Sequence, residues 1–193
     1  MSRHNHIIKV AVTGPESTGK TMLCETLAKH FNSPCTNEFA RTFLEARGNI
    51  YVKEELLEIA IGQLQLEQQA IDEVKLKNIR ASSELHQPSF VFCDTDLNVI
   101  RIWSEIAFNA CDNKILNLIS RNHYDLYLLC KPDIAWIYDA QREHPEPEMR
   151  EKIYHHYRDM LIFQNLPWME INGSFENRIE TAKTAVNNFI HRS

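Results

Sequence analysis

An eight-residue glycine-rich stretch constrains this chain more than any other feature of its sequence. Residues 14–21 read Gly-Pro-Glu-Ser-Thr-Gly-Lys-Thr, which fits the phosphate-loop pattern G-x-x-x-x-G-K-[ST]. Such a loop joins a buried strand to a helix, and its backbone N–H groups converge on nucleotide phosphates. The flanking residues agree with this, because an apolar, β-branched run precedes the loop and Leu23, Leu27 and Phe31 follow it at helical spacing.

The residues of this phosphate loop have different expected roles. Gly14 and Gly19 permit backbone conformations that a side chain forbids, and Lys20 is expected to reach the β- and γ-phosphates. The hydroxyl of Thr21 is suited to hold a Mg²⁺ ion that bridges the same phosphates. We therefore predict that ATP binds with Mg²⁺ to the whole loop, which comprises Gly14, Pro15, Glu16, Ser17, Thr18, Gly19, Lys20 and Thr21.

Length and composition narrow the class of protein. The 193 residues allow a single domain, and 44% hydrophobic with 24% charged residues is typical of a soluble globular chain. A net charge of -5 provides no broad basic surface, so nucleic acid is not an expected partner. The five cysteines form no C-x-x-C pair, and no apolar run approaches membrane-spanning length. With no leader pattern at the N-terminus, we expect a cytoplasmic protein with reduced thiols and no membrane partner.

The order of apolar runs predicts the fold. We expect a three-layer α/β fold of the P-loop NTPase type, with helices on both faces of a parallel sheet. The phosphate-loop strand should be central. The five strands of the sheet are predicted near Ile7, Cys35, Phe90, Leu126 and Met169. One long helix is predicted from residue 53 to about residue 82, and its predicted buried stripe comprises Leu57, Ile61, Leu64, Ile71 and Val74.

Charged side chains follow two of the predicted strands and indicate a reactive crevice. The second strand is predicted over residues 34–38 and ends at Glu38, Arg41 comes shortly after it, and Asp94 follows the third strand. Ligands of such sheets bind outside the carboxyl ends of the strands, where these side chains should meet the phosphate loop. Asp94 is a candidate Mg²⁺ ligand, and Asp94 and Glu38 both remain candidates to orient the acceptor hydroxyl. The simpler alternatives are an exposed ion pair between Glu38 and Arg41 and a helix cap at Asp96.

Two later segments also have candidate roles. Residues 139–150 combine prolines, charged side chains and His144 ahead of a predicted helix, which is the composition of a lid. In a phosphoryl-transfer enzyme, Arg142 and Arg150 of this lid would cover the transferring phosphate, although arginines in a solvated loop are the alternative. Asn172 lies in the turn before the last helix and is predicted to be near the adenine.

The chain resembles the ribosylnicotinamide kinase domain of the NadR-type family. The resemblance rests on the phosphate loop followed by Glu38-Phe39-Ala40-Arg41 and Asp94-Thr95-Asp96, together with residues 51–63, Trp103, residues 132–136 and residues 139–142. It implies a kinase that uses ATP and Mg²⁺ to phosphorylate the 5'-hydroxyl of nicotinamide riboside, giving nicotinamide mononucleotide in NAD salvage. It also implies substrate contacts from Glu38, Arg41, Asp96 and Trp136, and catalytic roles for Lys20, Asp94, Glu38 and Arg142.

Two departures from the family pattern concern the substrate. Asn37 stands where some members have an aromatic residue that stacks on the nicotinamide ring, and Ala140 replaces a lid glycine. A kinase for a different nucleoside therefore remains an alternative. So does an ATP-binding regulatory or sensor ATPase, which would need no acceptor to hydrolyse ATP.

Overall fold

The computed structural model describes residues 6–81 and 88–192 of the chain. Its strands are β1 (Ile7–Thr13), β2 (Cys35–Thr36), β3 (Ser89–Asp94), β4 (Leu126–Cys130) and β5 (Trp168–Ile171). They form one parallel sheet in the order β2-β3-β1-β4-β5. The strand before the phosphate loop is therefore central, and the predicted five-stranded parallel sheet is confirmed.

Helices cover both faces of this sheet. They are α1 (Lys20–His30), α2 (Phe39–Glu45), α3 (Glu55–Ala81), α4 (Leu97–Phe108), α5 (Asn113–Arg121), α6 (Pro147–Phe163) and α7 (Phe175–Arg192). Helices α1 and α7 pack on one face, and α3, α4 and α6 pack on the other, which gives the predicted three layers. None of the helices in the described ranges is long and apolar enough to cross a membrane.

Side chains of β1 alternate between the two faces of the sheet, which explains why helices cover both faces. Val10 and Val12 contribute to the core on the α1 and α7 side, whereas Ala11 between them packs on the opposite side. All three side chains are fully buried, as expected for a central parallel strand. Burying one valine contributes about 1.5 to 3 kcal/mol, so a polar residue in this strand would be costly on either face.

A third apolar cluster lies beside the sheet. It joins α2, α3, α4 and α5 through residues such as Phe43, Leu56, Leu97 and Ile115. Helix α2 follows β2 almost directly, so this cluster fixes the segment that carries Glu38 and Arg41.

Two element predictions need correction around α2 and α3. Strand β2 is only Cys35–Thr36, so Glu38 is the residue before α2 rather than the end of a strand. In α3, Ile61 is 43% exposed, whereas the polar Gln63 and Glu67 are buried. These two have partners, since Gln63 accepts from the Phe39 N–H and Glu67 pairs with Lys9 and Tyr124. The predicted end of this helix, near residue 82, lies outside the described residues.

The predicted lid segment, residues 139–150, runs into a helix. Helix α6 begins at Pro147, so residues 147–150 form its first turn. Proline is favoured there because its fixed φ suits the helix and its missing N–H would have no partner in the helix. The irregular part of the chain in this region is residues 131–146, which we call the β4–α6 segment.

Candidate active site

The phosphate loop leaves the central strand in a conformation that requires its glycines. Gly14 has a φ of 130°, and a Cβ atom there would lie 2.5 Å from the carbonyl oxygen of Cys130 on the neighbouring strand. Gly19 has a φ of 77° and directly precedes α1. The loop therefore ends on a helix N-terminus, where backbone N–H groups and the helix dipole favour an anion.

The loop forms one wall of a cavity of about 550 Å³, which we call the cleft. Its other walls include Glu38, Arg41, Tyr51, Trp103, Ile137, Arg142 and Phe175. At the loop, the Lys20 ammonium and the Thr18 hydroxyl both donate to the Pro15 carbonyl, each at 2.8 Å. A neutral carbonyl is a weaker partner for an ammonium than a phosphate oxygen, so Lys20 is free to exchange one for the other.

Asp94 and Thr21 provide the donor set expected for Mg²⁺. Asp94 ends β3 and is 2% exposed, and no hydrogen bond within the described chain reaches its Oδ1 atom. Burial raises the pKa of Asp94, while the Thr21 hydroxyl and the Lys20 ammonium act against this rise. Mg²⁺ usually binds one or two carboxylates and keeps several waters. The unpartnered oxygen of Asp94 fits this preference, because it lies beside the Thr21 hydroxyl and the phosphate loop. The described residues contain no cluster of three or more His, Cys, Asp or Glu that suits a metal ion.

Asp96 has a different environment, and the structure does not place this predicted substrate contact at the cleft. Its side chain is fully buried, does not line the cleft, and accepts from Thr13 Oγ1 at 3.0 Å and Asn98 Nδ2 at 2.6 Å. Burial raises the pKa of Asp96 to about 6 despite these bonds. Thr95, with a φ of 84°, turns the chain between the two carboxylates and gives them separate surroundings.

Glu38 and Arg41 line the same cleft as the phosphate loop, as the sequence predicts. Burial raises the pKa of Glu38, and the nearby Lys20 and Arg41 charges oppose this rise. Glu38 is therefore within electrostatic reach of the lysine of the phosphate loop. Arg41 also forms an ion pair with Asp139 of the β4–α6 segment, with Nη2 and Oδ2 2.7 Å apart.

Tyr51 and Trp103 form an aromatic wall of the cleft, to which sequence reasoning assigned no role. The rings of Tyr51 and Trp103 lie 4.6 Å apart, and Trp103 Nε1 donates to the Tyr51 hydroxyl at 2.8 Å. Tyr51 in turn donates to Glu143 at 2.9 Å. Burial raises the pKa of Tyr51 to about 12, so the hydroxyl keeps its proton near neutral pH. The contact of Tyr51 with Glu143 joins residues that are far apart in the chain, so a sequence does not display it.

Of the two predicted lid arginines, the structure brings one to the cleft. Arg142 lines the cleft and donates to Ser17 of the phosphate loop at 3.3 Å and to the Ile137 carbonyl. Arg150 is 4% exposed on α6 and is not among the lining residues of the described chain. Trp136 is half-buried beside the phosphate loop, where its Nε1 atom lies 3.5 Å from Glu16, but it does not line the cleft.

The predicted adenine contact of Asn172 is not supported by its position. Asn172 is exposed and donates to Glu170 at 2.7 Å, whereas Phe175 lines the cleft instead. Sequence reasoning missed Arg178, a buried residue of α7 that donates to the Thr18 carbonyl at 3.2 Å and pairs with Asp133. This side chain fixes the phosphate loop to the last helix.

The comparisons with known proteins agree with this architecture. The model of the AAA domain family matches residues 9–178. Two structures of NadR protein, one with NAD and AMP-PNP and one with NR, have a TM-score of 0.71 and 23% identity over 97% of this chain. They match over 50% of their own length, so this chain spans about half of them. No curated protein matches the sequence.

Two further structures belong to kinases of similar size. Deoxyadenosine kinase from M. mycoides, with dCMP and dCDP bound, has a TM-score of 0.54 and 13% identity over 94% of this chain and 100% of its own. Thymidylate kinase from Ehrlichia chaffeensis has a TM-score of 0.59 and 13% identity over 92% of this chain and 97% of its own. These likenesses confirm the NadR-like P-loop fold. The chain belongs to the AAA domain family and has the three-layer fold of P-loop nucleotide kinases.

Proposed function

We propose that this protein is a small-molecule kinase that uses ATP and Mg²⁺ to phosphorylate the 5'-hydroxyl of nicotinamide riboside. One observation carries the proposal: Glu38 lines the same cleft as the phosphate loop and lies within electrostatic reach of Lys20. A carboxylate for an acceptor hydroxyl and a lysine for phosphates then share one cavity, which is what phosphoryl transfer needs.

The phosphate-loop side is suited to bind and polarise ATP. Backbone N–H groups of the loop would hold the β-phosphate, and the Lys20 ammonium would leave Pro15 for the β- and γ-phosphates. Thr21 and Asp94 would hold Mg²⁺, which when bound neutralises phosphate charge. Arg142, already at the loop through Ser17, would stabilise charge on the transferring group.

On the acceptor side, Glu38 is suited to orient the hydroxyl. The hydroxyl oxygen forms a bond to the γ-phosphorus as the bond from that phosphorus to the ADP oxygen breaks, and the hydroxyl proton passes to the Glu38 carboxylate. The raised pKa of Glu38 favours this role because it makes the carboxylate a better base. Asp94 is less suited to it, since this side chain is buried beside Thr21 and does not line the cleft.

The aromatic wall supports an acceptor with a ring, and a cationic ring in particular. Nicotinamide riboside carries a positive charge on its pyridinium ring, and Tyr51 and Trp103 offer faces that attract cations. The NadR structure with NR supports the same acceptor, while the likeness to deoxyadenosine kinase keeps a different nucleoside as the second candidate.

The proposal is tested by ADP release from MgATP in the presence of separate nucleosides. The panel comprises nicotinamide riboside, nicotinic acid riboside, deoxyadenosine, adenosine and thymidine, and Lys20→Ala serves as the inactive control. We expect nicotinamide riboside to give the highest rate, at least about 10²-fold above the control. If only a different nucleoside stimulated ADP release, that nucleoside would be the substrate in place of nicotinamide riboside. Equal ADP release with and without every acceptor would favour the sensor ATPase.

A further inference from the structure

The carboxylate of Glu16 forms hydrogen bonds that nucleotide binding alone does not explain. Glu16 is the third residue of the phosphate loop, yet its side chain is bonded to the β4–α6 segment. Oε2 accepts from the backbone N–H of Glu143 at 2.9 Å, and Oε1 accepts from that of His144 at 2.6 Å. The indole of Trp136 also faces Oε1, at 3.5 Å.

A negative charge in a loop that binds phosphates needs a reason, because it repels the ligand. Here both carboxylate oxygens are engaged by N–H donors, and charge-assisted bonds of this kind are about twice as strong as neutral ones. The donors belong to a segment without helix or strand, so these bonds substitute for regular structure there. The neighbouring Ser17 also joins this segment to the phosphate loop, because its hydroxyl accepts from the Ile137 N–H at 3.0 Å.

We propose that Glu16 is a positioning residue that anchors residues 136–144 to the phosphate loop and thereby holds Arg142 over the transferring phosphoryl group. Arg142 lies one residue before the anchored amides and reaches Ser17, so its guanidinium stays at the loop only while the segment does. The catalytic half of this inference rests on the proposed kinase function, whereas the anchor itself does not.

Hydrogen exchange at the anchored amides tests the anchor without any turnover. Glu16→Ala removes both acceptors, and Glu16→Gln keeps the shape of the side chain but turns one acceptor into a donor. We expect the amides of Glu143 and His144 to exchange about 10-fold faster or more in both variants, with β1 amides unchanged as the check on folding. Glu54→Gln, an exposed carboxylate outside the cleft, is the matched control. Unchanged exchange at residues 143 and 144 would overturn the anchor.

A double-mutant cycle tests whether Glu16 acts through Arg142. We expect Glu16→Gln to lower kcat about 10-fold with KM for ATP changed less than about 3-fold, and to cause no further loss in an Arg142→Ala background. Additive losses, or a change in KM for ATP alone, would overturn the link to Arg142. If the wild-type protein phosphorylates no acceptor, the proposed kinase function and this link fail together, while the exchange measurement still decides the anchor.

Discussion

At the scale of single residues, Asp94 and Asp96 have different surroundings although only Thr95 separates them. Asp96 accepts two hydrogen bonds in full burial, so its carboxyl is already satisfied by the protein. Asp94 Oδ1 has no such partner within the described chain, and the phosphate loop lies beside it. A buried carboxylate oxygen without a partner is costly, and a bound cation would remove that cost. Asp94 is thus the member of the pair with capacity for a ligand.

The first prediction separates Glu38 from Asp94 by kinetics. Glu38→Ala leaves an acceptor hydroxyl unpaired, so it should weaken transfer by about 1 to 3 kcal/mol with little change in KM for ATP. Glu38→Gln should be nearly as impaired, because the amide keeps the shape but loses the basicity. Asp94→Asn should instead raise the Mg²⁺ concentration needed for half-maximal rate. The measurement is steady-state kinetics with acceptor, ATP and Mg²⁺ varied independently.

The pH dependence provides the control for Glu38. Because its pKa is raised, protonation should lower kcat/KM as the pH falls, with a midpoint above the ordinary value of about 4.3 for glutamate. The rate should be fully present above that midpoint and be lost below it, and Glu38→Gln should lack this limb. If Glu38→Ala alters only the ATP and Mg²⁺ dependence, Glu38 does not belong to the acceptor side.

The spacing of residues in the sequence predicts the phosphate loop correctly. It does not predict the partners of every polar side chain. Gly14, Lys20 and Thr21 follow from one contiguous pattern, because the loop conformation is local. Asp96 and Asn172 were expected to contact ligands, yet the first is enclosed by Thr13 and Asn98 and the second faces solvent. The Thr13 partner of Asp96 lies on a strand distant in sequence, and single-residue patterns do not encode such a contact.

At the scale of elements, the contact of α2 with α3 positions the residue that follows Glu38. Gly62 of α3 lies under the Phe39 ring, and a Cβ atom there would be 2.3 Å from the nearest ring carbon. The Phe39 N–H also donates to Gln63 of α3 at 2.9 Å. Phe39 directly follows Glu38, so this close packing determines where the carboxylate enters the cleft.

The second prediction is that Gly62→Ala destabilises the protein. Glycine to alanine in a helix normally stabilises by about 1 kcal/mol, so a loss of about 1 to 3 kcal/mol would show that the ring contact dominates. The free energy of unfolding from urea titration measures it. The same substitution in a Phe39→Leu background should cost less, since the ring is gone. A gain in stability for Gly62→Ala in the wild-type background would contradict the contact.

Element positions were predicted best where packing is simple. Strand β1 and its neighbours β3 and β4 are buried on both faces, and the predicted residues Ile7, Phe90 and Leu126 lie within them. The buried face of α3 was misjudged because it carries Gln63 and Glu67, which are satisfied by α2, Lys9 and Tyr124. Such compensation is tertiary, and hydrophobic periodicity within one helix does not reveal it.

At the scale of the whole molecule, the β4–α6 segment connects the two sides of the cleft. It contacts the phosphate loop through Glu16, and it contacts Arg41 and Tyr51 of the cleft wall through Asp139 and Glu143. A nucleotide and an acceptor bound in the cleft would therefore be enclosed by the same segment. Enclosure of this kind excludes water, which favours transfer to an acceptor over hydrolysis.

The fate of the γ-phosphoryl group of ATP tests the central claim most directly. ³¹P NMR of a reaction containing the protein, Mg²⁺, ATP and nicotinamide riboside distinguishes a phosphomonoester from inorganic phosphate. The kinase account predicts that nicotinamide mononucleotide forms in an amount equal to ADP, and that Lys20→Ala forms neither. Recovery of the γ-phosphoryl group only as inorganic phosphate, with the riboside unchanged, would contradict it.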